Sequence, residues 1–248
     1  MEEPYYLAYE HRYKKVYEAG IERWGHRPDD EVLLQTLTKW VDDHQLRGKK
    51  IIEFACGEGG CGEILSRLGC VYHGVDIAPS ALEKARSALK PYPDATISLL
   101  DMVNDAIPGS YDAALDCMGL HMLVLDSDRR KYLRNTFHCL HPGAPMLLFR
   151  ESYKADAYAG AVGSFEQWQA ISGGDFTTPR KLSAAHNGID IEISAPFVPG
   201  RARTKEDYFK EMTDAGFAVD DFIEMESNQQ CPFSATIYVH KPREDILS

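Results

Sequence analysis

The chain has 248 residues, of which 44% are apolar, 10% aromatic and 26% charged, a balance that suits one large folded domain and excludes a disordered chain. Its formal net charge of −11 argues against nucleic acid as a partner, because neutralising phosphates takes clustered Lys and Arg. No apolar run approaches the ~20 residues that span a bilayer, and the start, MEEPYYLAYEH, is too acidic and polar for a signal peptide. The six cysteines, Cys56, Cys61, Cys70, Cys117, Cys139 and Cys231, contain no C-x-x-C pair. They read as reduced thiols in a cytoplasmic protein, with no metal site and no membrane contact.

In chain order, Tyr6, Tyr9, Tyr13 and Tyr17 form a helical stripe over residues 5–18. After the turn WGHRPDD, the segment EVLLQTLTKWVDDHQL puts Leu33, Leu34, Leu37, Trp40 and Val41 on one face, with Asp29 or Asp30 available as N-cap. A regular alternation follows. KKIIEFA, VYHGVDI, ATISLLD, YDAALDC and PMLLFRES read as strands, and GGCGEILSRLG, PSALEKARSALK and DSDRRKYLRNTFHCL as helices between them. This rhythm predicts right-handed crossovers and a doubly wound, mostly parallel sheet in an α/β domain.

The rhythm stops at residues 153–203, where HNGIDIEISAPFVPG suggests a short strand pair with a turn. It resumes with the helix TKEDYFKEMTDAGF, whose Thr204 and Asp207 have capping-box spacing, and closes with VDDFIEME and FSATIYVH. The expected organisation is an N-terminal helical segment over 1–48, a catalytic domain formed by 49–152 and 204–248, and an inserted substrate lid over 153–203.

The chemistry centres on IIEFACGEGGCGEIL. Gly57, Gly59 and Gly62 match the G-x-G-x-x-G dinucleotide fingerprint, but Glu53, four residues before Gly57, does not belong to it. A pyrophosphate needs no carboxylate there, whereas the ammonium of a methionine moiety does. Side chains at Gly57 or Gly59 would take the room that moiety needs. Asp76 ends the second strand, where a carboxylate accepts ribose hydroxyls in either kind of site. Asp101 ends the third, where it can accept from an adenine amine while the Met102 backbone donates. The order of Glu53, Asp76 and Asp101 fits S-adenosylmethionine better than NAD.

EFACGEGG, VDIAPSALEKA, LLDM, YDAALDCMGLHMLV and LHPGAPMLLF together resemble, in order, the motifs of class I S-adenosylmethionine-dependent methyltransferases. The resemblance is best over residues 49–150 and looser over 20–240. It implies a Rossmann-like seven-stranded sheet in the order 3-2-1-4-5-7-6, and S-adenosylmethionine as cofactor with S-adenosylhomocysteine as product. Many members carry Gly where Ala55 stands, and alanine is small enough to keep the backbone approach. Ile77 beside Asp76, and Cys117 as a backbone contact, join the implied cofactor residues. So do Tyr13 and Trp24, since the N-terminal segment of this family commonly folds over the cofactor.

Methyl transfer needs an aligned acceptor, excluded water and, where required, a proton acceptor. His121 and Glu151, near the ends of the fourth and fifth strands, are the candidates for acid–base work. Phe165, Trp168 and His186 are candidates to wall a substrate cavity or to pin the insertion to the body. DCMGLHML lacks the Asn/Asp-Pro-Pro-Tyr/Phe quartet of nucleic-acid amino-methylating enzymes. The expected activity is methylation of an O or N atom on a small molecule by a monomer or homodimer. Methylation of protein or RNA, and a catalytically silent cofactor-binding protein, are the alternatives.

Overall fold

In the computed structural model, residues 3–186, 189–226 and 233–243 are described, without the side chains of 182–191. Nine strands and seven helices are seen among them. The N-terminal segment holds α1 (Ala8–Glu18), entered through a 3-10 turn at Tyr5–Leu7, and α2 (Glu31–Asp43). The body then runs β1 (Lys50–Phe54), α3 (Gly60–Arg67), β2 (Val71–Asp76), α4 (Pro79–Leu89), β3 (Ala95–Leu99), β4 (Ala113–Cys117), α5 (Asp126–Cys139) and β5 (Pro145–Ser152). The insertion contributes α6 (Phe165–Ser172), β6 (Arg180–His186) and β7 (Ile189–Ala195), and the chain closes with α7 (Lys205–Asp214), β8 (Ala218–Met225) and β9 (Ser234–His240).

The main sheet has the order β3-β2-β1-β4-β5-β9-β8, which is the expected one once the separate β6–β7 pair is set aside. The pairs among β1 to β5 are parallel, while β9 runs antiparallel to both β5 and β8. Side-chain alternation splits the core between the two faces. Ile52, Phe54 and Ala114 pack with Tyr132, Tyr208 and Ile237 on one side. Ile51, Leu115 and Phe149 pack with Leu33, Leu37, Trp40 and Leu65 on the other. Asp30 is the N-cap of α2, accepting from Leu33 N at 3.0 Å, and Thr204 caps α7 by accepting from Asp207 N at 3.1 Å.

Two expectations need correction. Leu34 stays 37% exposed, because the buried stripe of α2 is completed by Leu33, Leu37, Trp40 and Val41 without it. The strand pair of the insertion begins earlier than expected, since Arg180–His186 forms its first strand and only the second lies in HNGIDIEISAPFVPG. Phe165–Ser172, to which the sequence reading gave no element, is a helix capped by Ser164 and ended by Gly173 in the left-handed region.

The insertion and the N-terminal segment are packed together. Ile193 of β7 is buried against Val16 and Ile21, the Tyr9 hydroxyl donates to Pro199 O at 2.6 Å, and Arg12 donates to Pro196 O. The Tyr5 and Phe165 rings stack at 5.0 Å. The two segments form one cover. Among the described residues no helix is long and apolar enough to cross a membrane.

Candidate active site

Strand order reverses between β1 and β4, and this opens a crevice at the C-terminal ends of the parallel strands. Two adjoining cavities fill it. One, of about 550 Å³ counting its mouth, is walled by Asp76, Ile77, Asp101 and Met102 from the sheet and by Tyr6 and Tyr9 from the cover. The other, of about 830 Å³ on the same basis, is walled by Glu53, Gly57, Cys61, Cys117 and Met118, with Trp24 and His26 from the cover. Tyr13, Ala55 and Met122 border both.

The loop after β1 is shaped by left-handed backbone at Ala55 (φ 50°), Gly57 (φ 51°) and Gly59 (φ 77°). A Cβ on Gly57 would lie 2.6 Å from the Tyr13 hydroxyl, so a side chain there would fill the space between the cavities. Gly59 differs from expectation. It lines neither cavity, and a Cβ there would press on Leu89 and Ala85 of α4 at 3.1 and 3.3 Å. Its role is to let α3 start tight against α4. Left-handed residues also follow β4 at Met118 (φ 64°) and interrupt β5 at Arg150 (φ 56°), so three adjacent strands carry this conformation near the crevice.

Each acid expected in the site is found at the crevice with backbone partners or buried surroundings. Asp76 accepts from Gly57 N and Ala78 N, both at 2.8 Å, and burial raises its carboxyl to about 6 against these donors. Asp101 accepts from Val103 N at 2.9 Å, Asn104 Nδ2 at 2.9 Å and the Tyr6 hydroxyl at 2.8 Å. Glu53 is fully buried beneath the larger cavity, accepts from the Tyr72 hydroxyl and is pushed up to about 8 by burial and by the neighbouring Cys117 charge.

The cover is docked onto the glycine loop by Glu58, which accepts from Gly25 N at 2.7 Å, Trp24 N at 3.0 Å and the Tyr17 hydroxyl at 2.7 Å. This brings Trp24 edge-on to Tyr13, with ring centroids 5.1 Å apart, and sets His26 Nε2 3.0 Å from Met118 Sδ. Cys117 is lowered to about 6 by the hydrogen bond from Cys61 and by His26, against the effect of burial. His26 is in turn raised to about 10, chiefly by the charge on Cys117.

His121 lies in a 3-10 turn, Leu120–Met122, after β4 and beside Met122, but lines neither cavity itself. Arg129 holds this turn by donating to Leu120 O and Leu123 O while bridging to Glu211 of α7 at 2.9 and 2.7 Å. Glu151 lies near the end of β5, inside the strand, and is fully buried. There it accepts from His121 N at 2.7 Å and pairs with His121 Nδ1 at 3.0 Å. Burial works to raise Glu151, yet His121 and Asp116 hold it below the ordinary value. Burial and the Glu151 charge push Asp116 well up. Asp116 also accepts from Tyr132 at 2.6 Å.

Phe165 and Trp168 line neither cavity. Phe165 stacks on Tyr5, and Trp168 is buried against Val124 and Val162 under the Arg201 guanidinium, so both pin the insertion to the body. His186 ends β6, and its side chain lies outside the described residues, as does all of Cys231. The five described cysteines are free thiols, and among the described residues no cluster of His, Cys, Asp and Glu has the makings of a metal site. Sequence reasoning did not single out His26, Glu58, Cys61, Met118 or Met122 for the site. The histidine in WGHRPDD was the one available signal, and no spacing rule flags it.

A family described as methyltransferase domain matches residues 52–146. A ubiquinone biosynthesis O-methyltransferase of Stutzerimonas stutzeri is 26% identical over 152 residues, which cover 59% of this chain and 65% of that protein. The chain therefore spans less than two thirds of the curated relatives it matches. Among solved structures, an S-adenosylmethionine-dependent methyltransferase from Clostridium acetobutylicum superposes with a TM-score of 0.61 at 15% identity, covering 96% of this chain and 99% of that one. An amino pentose methyltransferase from Micromonospora echinaspora, involved in calicheamicin biosynthesis, gives a TM-score of 0.62 at 16% identity, covering 97% and 99%. At such identities these likenesses speak for the fold. With the seven-stranded order and the ordered motifs in agreement, residues 52–146 match a methyltransferase domain and the chain has the fold of the class I S-adenosylmethionine-dependent methyltransferases.

Proposed function

We propose that the protein transfers a methyl group from S-adenosylmethionine to an O or N atom of a small molecule. The observation that carries this reading is the division of labour between the two joined cavities. The smaller presents Asp76 and Asp101 to a nucleoside. The larger presents a buried carboxyl, Glu53, which accepts from the Tyr72 hydroxyl and stands at the cavity wall where an incoming ammonium can pair with it. The residues present fit the cofactor.

When bound, the cofactor supplies a methyl group on an activated sulfonium leaving group. The chain supplies alignment and dryness. Tyr6, Tyr9, Tyr13 and Trp24 close over the crevice, and Glu53, Asp76 and Asp101 fix the two ends of the ligand. Cys117, Ile77, Ala55 and Met102 shape the wall between them. His121, oriented by Glu151, is the group placed to take a proton from a hydroxyl or amine arriving beyond β4 and β5.

A small acceptor is supported by the cover of N-terminal helix and insertion, which narrows the crevice. The names of similar proteins, a ubiquinone-pathway O-methyltransferase, an amino pentose methyltransferase and a glycopeptide N-methyltransferase, set the choice of acceptors to try. The test is a panel of phenols, amino sugars, a short peptide and a short RNA, with S-adenosylhomocysteine release as readout. Turnover on phenols or amino sugars is expected. Turnover confined to the peptide or RNA would overturn the small-acceptor reading.

A further inference from the structure

The turn Leu120–Met122, which carries His121, is a short piece of 3-10 helix, a conformation whose own hydrogen bonds are few and poorly aligned. Two arginines take up carbonyls in and just beyond it. Arg129 of α5 donates to Leu120 O at 2.7 Å and to Leu123 O at 3.1 Å. Arg201, from the insertion, donates through its backbone N to His121 O at 2.8 Å and through Nη1 to Val124 O at 2.9 Å. The His121 backbone is therefore gripped from both sides, its N by Glu151 of β5 at 2.7 Å and its O by the insertion.

Arg201 lies in a strap, residues 199–203, that is tied down at both ends. Pro199 O accepts from the Tyr9 hydroxyl at 2.6 Å, while Arg203 N donates to Ser152 O and Lys154 N to Arg203 O, both at 3.2 Å. Between these ties Gly200 runs along the imidazole, since a Cβ there would stand 3.8 Å from His121 Cδ2. The Arg201 guanidinium is fully buried. Besides Val124 O it donates to Asp126 Oδ1 at 2.6 Å and Gly160 O at 2.8 Å, and it stands 5.8 Å over the Trp168 ring. Asp126 offsets its charge as Glu211 offsets that of Arg129, so both guanidiniums act on the turn through directed hydrogen bonds. A planar fork serves three acceptors at once, which the point charge of a lysine does not.

We infer that Arg201 is a positioning residue for His121: by fixing the strap against the turn, it holds the imidazole with Nδ1 on Glu151 and leaves Nε2 for the proton of the acceptor. A ring that swings off Glu151 loses the bond that selects its tautomer. The insertion thereby sets the base as well as roofing the crevice. The effect on turnover rests on the reading of His121 above; the effect on the ring does not.

The experiment uses the whole protein with 15N-labelled histidine, and His121→Asn identifies the ring signals. At about pH 8, two-bond proton–nitrogen correlation spectra should show His121 of the unaltered protein as a single tautomer protonated at Nδ1. Arg201→Met should give averaged nitrogen shifts, and Arg201→Lys an intermediate pattern. Gly200→Val, which keeps the guanidinium but crowds the ring, should also lose the single tautomer, whereas Gly200→Ala should keep it. On the phenol or amino sugar that turns over best, Arg201→Met should lower kcat by about 10–100-fold, with KM and S-adenosylhomocysteine affinity within about threefold. An unchanged Nδ1–H tautomer in both Arg201→Met and Gly200→Val would overturn the assignment. So would S-adenosylhomocysteine affinity that falls as far as kcat, because Arg201 would then brace the whole cover. If Arg201→Met does not fold, Arg201→Lys and Gly200→Val decide the matter by the same spectra. Averaged shifts in the Arg201 variants beside full turnover in His121→Asn would leave the positioning intact and overturn the base reading alone.

Discussion

The Glu151 carboxylate accepts from His121 twice, at the backbone N (2.7 Å) and at ring Nδ1 (3.0 Å), from a position of complete burial in β5. An acceptor on Nδ1 fixes the proton there and leaves the Nε2 lone pair for an incoming proton. If His121 is the base, His121→Asn should lower kcat by roughly 10²–10⁴ with S-adenosylhomocysteine affinity unchanged. Glu151→Gln should lower it by about 10–100-fold, because the ring is then less firmly set. Single-turnover rates beside calorimetry separate these outcomes from loss of cofactor binding.

Glu53 predicts a proton signature. Its carboxyl, raised to about 8, is largely protonated at pH 7, and an ammonium placed against it favours the ionised form. Cofactor binding at pH 7 should therefore release about one proton from this group, and the release should vanish above pH 9, where Glu53 is already ionised. In the free protein the sign is opposite. A carboxyl held above its unfolded value costs stability as pH rises from about 4.5 through 8. Calorimetry of S-adenosylhomocysteine binding in buffers of differing ionisation enthalpy measures the release, and Glu53→Gln should abolish it.

Asp76 holds the glycine loop through Gly57 N as well as facing the nucleoside cavity. Asp76→Ala should weaken S-adenosylhomocysteine binding by about 1.5–3 kcal/mol per charged hydrogen bond lost. Unchanged affinity in calorimetry would remove Asp76 from the cofactor site.

Ala55 sits at φ 50°, where an L-residue is strained by about 1–2 kcal/mol and glycine is not. Ala55→Gly gives back about 0.5–1 kcal/mol through the entropy of the unfolded chain. The net expectation is a gain of up to about 1 kcal/mol, or a rise of ~2–4 °C in melting temperature for a domain of this size. A melting temperature that falls would mean the Ala55 methyl contributes packing that outweighs the strain.

The cover predicts coupling between distant parts of the chain. From sequence alone, the insertion and the cofactor motifs look separable. The structure joins them, because Ile193 packs on Val16 and Ile21 in and beside α1, the helix that carries Tyr9 and Tyr13 into the cavity walls. Replacing residues 153–203 with a Gly/Ser linker should weaken S-adenosylhomocysteine binding by more than about tenfold, in addition to abolishing turnover. Affinity unchanged on equilibrium dialysis would show that α1 holds its place without the insertion.

The strands and helices of the body were legible because each obeys a local rule: periodicity, a cap such as Asp30 or Thr204, a breaker such as Gly69. Glu53, Asp76 and Asp101 were legible because strand ends place carboxylates in a crevice. Gly59 was assigned to the right loop for the wrong reason, since its neighbour Leu89 comes from a helix that no local rule connects to it. His26 and Glu58 escaped for the same cause. Their importance lies in contacts across 33 to 92 residues, which periodicity does not encode. Phe165 left two readings open in the sequence, a substrate wall or a pin for the insertion, because the choice depends on its partner, Tyr5, which stands near the start of the chain.

The hydrogen bond from Tyr9 to Pro199 spans 190 positions of sequence. During synthesis, α1 can settle on α4 once that helix follows, since Glu10 accepts from Ser80 and Tyr13 packs on Ala78 and Ala81. Its bonds to Pro196 and Pro199 wait for the insertion. The roof over the crevice is thus laid from one side while the sheet assembles and latched from the other only when the insertion arrives.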